Sequence, residues 1–210
     1  ASALATDFEI VVVDDASGDD TGLVAQQQGA RVLRVEHRHI AATRNAGAMA
    51  AVGERLIFVD ADPHVDTGVL QAALSALDAG AAGGGAGVRL LGKVSWRERW
   101  AETFFIHVFR LTRIAPGCFV FCTRAAFDAS GGFDQRYYAG EDVAFSCALA
   151  RQGRFVMLRE TVRTSARKLR TFTAVEHLQL ALRFAWRGRR VLQSRDALDL
   201  WYGERRREHP

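Results

Sequence analysis

Leu56-Ile57-Phe58-Val59-Asp60-Ala61-Asp62 sets the reading of this chain. A short apolar, β-branched run is the mark of a buried strand, and its two carboxylates mark the point where the chain leaves the sheet. Upstream, Phe8 to Val13 has the same character and ends at Asp14-Asp15, and Arg31 to Val35 is a further strand. Helical segments separate them. Asp19 to Gln28 stops at Gly29, Ala41 to Val52 is closed by Gly53, and Thr67 to Ala79 carries Leu70, Leu74 and Leu77 on one face with Gly80 after it. Strands alternating with helices at this spacing imply right-handed crossovers and an α/β fold, a mainly parallel sheet flanked by helices. Ligands bind beyond the carboxyl ends of such strands. Asp14, Asp15, Asp60 and Asp62 are therefore expected to line one rim.

Beyond this the rhythm loosens. Gly80 to Gly87 is glycine-rich, lacks the Gly-Lys-Ser/Thr ending of a phosphate loop, and leads into a strand through Leu91. Ser95 to Thr112 reads as a helix whose Trp96, Trp100, Phe104 and Phe105 are expected in the core. Phe119 to Cys122 is a strand, Ala139 to Gln152 a helix after a loop, and Phe155 to Leu158 closes the sheet. Ala1 to Ala5 resembles the end of a helix, and Thr173 to Arg195 is helical once more.

At 210 residues, 49% hydrophobic and 25% charged, the chain suits one soluble domain with a short appendage. Cys118, Cys122 and Cys147 have no metal-type spacing and read as small buried thiols in a reducing compartment. No apolar run is long enough to span a bilayer and no signal peptide opens the sequence, so a cytoplasmic location is expected. Charge divides sharply. Residues 1–150 hold 13 Lys/Arg and 18 Asp/Glu, whereas residues 151–210 hold 15 and 6, balances of −5 and +9. The basic tail carries Phe184 and Trp186 among Arg183, Arg187, Arg189 and Arg190, a composition suited to peripheral contact with an anionic membrane face.

A lone Asp after a strand often caps the next helix, the reading that fits Asp19 and Asp66. Converging carboxylates repel unless a cation offsets them, and Asp60-Ala61-Asp62 offers oxygen ligands suited to Mg²⁺ or Mn²⁺. The six histidines form no paired ligand spacing, and only His64 lies near that triplet.

Four ordered segments carry a resemblance. Val12-Val13-Asp14-Asp15-Ala16-Ser17-Gly18-Asp19-Asp20-Thr21, Ala42-Thr43-Arg44-Asn45-Ala46-Gly47, Leu56 to Asp62, and Gly131-Gly132-Phe133-Asp134-Gln135 with Gly140-Glu141-Asp142 resemble glycosyltransferase family 2 in order and spacing. The resemblance implies a GT-A fold over residues 1–160, with a nucleotide-binding half at about 8–80 and an acceptor-side half at about 81–160. Residues 161–210 would form a basic loop and helical extension. It implies inverting, metal-assisted transfer from a nucleotide-sugar donor to a carbohydrate or lipid-linked acceptor, with no nucleic-acid partner. Position by position, Asp14, Asp15, Arg44 and Asp60 would hold the nucleotide, and Asp62 with Asp60 the Mn²⁺ or Mg²⁺ ion. Asp142 would be the general base with Glu141 beside it, and Gly132, Phe133 and Asp134 would form the acceptor side.

Two departures from the family stand out. Nothing matches its opening strand and Pro-Tyr-Asn-like loop, so an N-terminal truncation that removes a central strand is expected, with self-association as its consequence. The histidine that follows the last strand in many relatives is replaced by Arg163-Thr164-Ser165-Ala166-Arg167-Lys168, whose Arg163, Arg167 and Lys168 would neutralise the diphosphate. Two rival readings are a phospho-accepting receiver module, which shares the acidic strand ends, and a nucleotidyltransferase, which has a related α/β fold. The receiver leaves Gly131 to Asp142 unexplained and finds Lys93 poorly placed, and the nucleotidyltransferase lacks its glycine-rich opening loop.

Overall fold

The computed structural model describes residues 7–91 and 96–165. The chain alternates strictly at first: β1 (Val11–Asp15), α1 (Thr21–Gln27), β2 (Arg31–Val35), α2 (Ile40–Ala50), β3 (Arg55–Val59) and α3 (Thr67–Asp78). Then come β4 (Gly83–Leu91), α4 (Trp96–Thr112), β5 (Phe119–Thr123), α5 (Arg124–Ser130), α6 (Glu141–Gln152) and β6 (Phe155–Ser165). This is the α/β layering expected from the sequence, with α5 added where only a loop was foreseen. Thr123 opens that short helix by accepting the Ala126 N–H, and Gly131 ends it at φ +78°.

Strands β1 and β2 pair in parallel as a two-stranded sheet, and the other four are ordered β3-β5-β4-β6. Strand β5 runs antiparallel to both β3 and β4, and β6 runs parallel to β4. Hence β3, β4 and β6 share one direction and β5 alone opposes it. Among the described strands, β1 pairs only with β2 and β3 only with β5, so the sheet is divided between β1 and β3.

Strand β5 is the spine of the core, because successive side chains of a strand point to opposite faces. Val120 and Cys122 meet Ala48, Phe127, Phe133, Phe145 and Leu149, from α2, α5, the loop after it and α6. Phe119 and Phe121 meet Val69, Ala73 and Leu77 of α3 together with Leu158 and Val162 of β6. The glycine run belongs inside the sheet. A Cβ on Gly84 would lie 2.0 Å from Val156 O, and one on Gly85 would lie 2.3 Å from Ala115 Cβ. Those glycines let backbone and side chains close on β4, which is why no phosphate loop forms there.

Three expectations are corrected. Trp96, Trp100 and Phe104 are 74%, 72% and 55% exposed, so this row of α4 faces outward and Ile106 and Glu102 supply its buried side. Cys147 is exposed on α6, unlike buried Cys122. Strand β6 continues well past Leu158 to Ser165, because its second half pairs with Gly87 to Leu91 beyond a register shift. No helix among the described residues is long and apolar enough to cross a membrane. The segments expected at Ala1–Ala5 and Thr173–Arg195, and the basic tail, lie outside the described residues.

Candidate active site

Strand alternation separates the paired acids of β1. Asp14 turns inward and is 6% exposed. Its Oδ1 accepts the Ser17 N–H at 3.1 Å, and a Cβ on Gly22 of α1 would lie 2.8 Å from its Oδ2. Asp14 therefore closes the loop before α1, and the expected rim of four carboxylates is divided. Asp15 faces the other way and gathers the loop before α2. It accepts the N–H groups of Arg38 at 2.8 Å and His39 at 3.1 Å, and the Thr43 hydroxyl at 2.7 Å. Partial burial works against its charge, but these donors outweigh that and hold its carboxyl below the ordinary range.

Helix α2 starts at this loop, capped by His39, whose Nδ1 accepts the Ala42 N–H. One turn further, Arg44 reaches across the molecule. Its Nη2 donates to Asp60 Oδ1 at 2.7 Å and to Gly117 O at 2.8 Å, and its Nη1 donates to Glu141 Oε1 at 2.8 Å. The guanidinium also lies 5.2 Å from the centre of the Phe133 ring. Planar donors in a fixed fork are what allow one side chain to serve two carboxylates at once. Burial disfavours the charge of Arg44, but Asp60 and Glu141 more than restore it.

Glu141 and Asp142 open α6 behind Gly140 at φ +73°. Glu141 is buried, and burial followed by the charge of Asp142 pushes its carboxyl up to about 7, against the pull of Arg44. Asp142 is raised as well, again by burial, while the N–H groups of Val143 and Gly117 favour its charged form. Gly117 makes room for the pair: a Cβ there would lie 3.0 Å from Asp142 Oδ2 and 3.2 Å from Arg44 Nη2. The N–H donors and the adjacent arginine oppose that rise without cancelling it.

Asp62 lies beyond Asp60 and is exposed, its Oδ2 accepting the Thr164 hydroxyl at 3.3 Å. His64 and Arg163 exchange two backbone hydrogen bonds, at 2.6 and 3.1 Å, which bring the end of β6 to the Asp-X-Asp triplet. The backbone of Arg163 thus lies beside His64, two residues beyond Asp62, and Arg167 and Lys168 lie outside the described residues. Among the described residues, no three His, Cys, Asp or Glu side chains converge as metal ligands. Two exposed or half-exposed carboxylates at i and i+2 still suit an ion such as Mg²⁺, which keeps waters and takes its remaining ligands from substrate phosphates.

The acceptor-side triplet behaves differently from expectation. Phe133 is 1% exposed, packed 4.0 Å from Phe145 and 5.0 Å from Phe58 between ring centres, and Gly132 is buried beside it. Neither can touch a ligand, because the aromatic cluster already occupies the space around them. Only Asp134 reaches the surface, paired with Arg136 at 2.7 Å. Asp66 is the cap of α3, accepting the Val69 N–H, and Asp19 accepts the Thr21 N–H in the turn before α1. Gly117, Thr43 and Thr164 were missed. Pro116-Gly117 was legible as a turn, but nothing in the sequence tied that turn to Arg44 and Asp142.

Comparison with known proteins identifies the family that the four sequence motifs resemble. An uncharacterised glycosyltransferase of Mycobacterium bovis is 34% identical over 80 residues, 38% of this chain and 37% of the relative. Counterparts in two strains of Mycobacterium tuberculosis match equally. The chain thus spans well under half of these relatives' length. Among solved structures, S. aureus TarS 1-349 superposes with a TM-score of 0.60 at 18% identity, covering 83% of this chain and 55% of that one. Its complex with UDP gives 0.57 at 18% identity, covering 91% and 65%. At such identity the likeness is one of fold, the GT-A arrangement. The sequence profile for glycosyl transferase family 2 matches residues 1–155, and the chain belongs to that family.

Proposed function

We propose that this chain transfers a sugar, with inversion, from a nucleoside diphosphate sugar to the hydroxyl of a carbohydrate or lipid-linked acceptor, assisted by Mn²⁺ or Mg²⁺. The observation that carries the reading is Arg44, which bonds Asp60 on the nucleotide side and Glu141 on the other, with Asp142 next to Glu141. Motifs far apart in sequence meet at this one guanidinium. The solved TarS complex with UDP supports a uridine diphosphate sugar as the first donor to try.

In this reading Asp15 and the loop it gathers receive the base and ribose, while Asp14 keeps the preceding turn closed. Asp60 and Asp62 would hold the cation, whose contribution when bound is to offset charge on the departing diphosphate. Arg44, and Arg163 at the end of β6, add positive charge to the same end. Asp142 takes the proton of the acceptor hydroxyl as that oxygen attacks the anomeric carbon. The bond from that carbon to the diphosphate oxygen breaks on the opposite face, so no enzyme nucleophile is required. Burial lifts the carboxyl of Glu141 to about 7, so it is close to half protonated at neutral pH beside Asp142. Family membership removes the support for the receiver and nucleotidyltransferase readings.

The test is release of UDP from UDP-hexoses in Mn²⁺, with Asp142→Asn alongside the wild type. UDP binding is expected to persist in the variant while transfer falls about 10²-fold or more. Normal transfer by Asp142→Asn would reassign the base.

A further inference from the structure

We propose that Asn45 is the positioning residue that registers the acceptor-side segment 131–142 against the nucleotide-side helix α2, a role that rests on the glycosyl-transfer reading above. The carboxamide of Asn45 closes a ring of two hydrogen bonds with one backbone unit. Its Nδ2 donates to Phe133 O at 2.8 Å, and its Oδ1 accepts the Phe133 N–H at 2.9 Å. This is the pairing a neighbouring β-strand would offer, supplied by a helix side chain 88 residues away in sequence.

The surroundings are shaped to that contact. Gly132 sits at φ +71°, and a Cβ on it would lie 2.8 Å from Asn45 Oδ1. The Phe133 ring is locked against Phe145 of α6, and α6 carries Glu141 and Asp142 at its start. Asn45 directly follows Arg44, so one stretch of α2 grips both the carboxylates and the loop that leads to them. A second contact spans the same two segments, the ring of His39 before α2 lying 4.5 Å from that of Tyr138 at a tilt of 49°. Fixing Phe133 fixes the approach of Asp134 and the seat of α6, and with them the distance from the base to the donor. Misplacement of reacting groups by about 1 Å is enough to cost about 10²-fold in rate. Both polar atoms of the side chain are committed to Phe133, so it acts through the loop.

Asn45→Leu removes both hydrogen bonds and keeps the branched shape at greater bulk, and Asn45→Ser removes them with less bulk should the leucine variant fail to fold. Amide hydrogen exchange over residues 131–136 is expected to rise about ten-fold or more, with β4 and β5 unchanged. The dissociation constant for UDP with Mn²⁺ should stay within about two-fold of wild type, because the loss is confined to one loop. In turnover of a UDP-hexose, the acceptor KM should rise or transfer should fall relative to donor hydrolysis, with the donor KM unchanged. Unaltered exchange at 131–136, or UDP affinity falling in step with transfer, would overturn the proposal. Failure of the wild type to bind UDP would sink the glycosyl-transfer reading and the catalytic half of this one with it. The exchange measurement then still decides the clamp.

Discussion

Glu141→Gln isolates the electrostatic tension at the centre of the site. Glu141 is 2.8 Å from Arg44, a contact that favours the ionised form, yet the same guanidinium also serves Asp60 and Gly117 O. Burial and the neighbouring Asp142 prevail, and the carboxyl rises from its ordinary 4.5 to about 7. The sign of the consequence follows from proton counts. Between pH 4.5 and about 7 the unfolded chain has released this proton and the folded chain still holds it. Stability then falls as pH rises, because the folded state binds more protons than the unfolded one. A displacement from 4.5 to about 7 corresponds to a ceiling of about 3 kcal/mol. Glutamine keeps an acceptor oxygen for Arg44 and cannot ionise. The difference in unfolding free energy between Glu141→Gln and wild type should therefore drift in favour of the variant from pH 4.5 to 8, by up to about 3 kcal/mol. Urea unfolding at half-unit steps of pH measures it, and the informative quantity is the slope of the difference, not its offset. Parallel profiles, or a wild type that gains on the variant through this window, would refute the reasoning and show that Arg44 dominates.

Other expectations follow from the same geometry. Arg44→Lys keeps the charge but replaces a fork with a point, so Asp60 and Glu141 cannot both be satisfied; a loss of about 1–3 kcal/mol in unfolding and weaker UDP binding by calorimetry are expected. Asp62→Ala should remain folded by circular dichroism and lose turnover, as wild type should in chelator until Mn²⁺ or Mg²⁺ is restored; full activity in chelator would remove the metal role. Gly132→Ala combines a positive φ with a 2.8 Å approach to Asn45 and a 2.9 Å approach to Phe127, and chemical denaturation should report a cost of about 2–4 kcal/mol.

The sequence by itself determined the layering and the ingredients. Apolar β-branched runs ending in Asp, with helices stopped by glycine, were enough to locate β2 to the residue and β3 and most other elements to within a few. Local spacing also carried the four motifs that match the family profile. What only the tertiary structure decided was direction and facing. An apolar run such as Phe119 to Cys122 is equally suited to parallel or antiparallel pairing, and the long path through α4 reverses β5. Strand alternation sent Asp14 inward and Asp15 outward, a distinction that two adjacent identical letters cannot carry. Phe133 looked like an acceptor contact because of its motif, and lies buried because Phe58 and Phe145 converge on it from β3 and α6. The meeting of Arg44 with Glu141, 97 residues later, is likewise a long-range fact, since side-chain charge says what a residue can pair with and only the folded backbone says which partner is within reach.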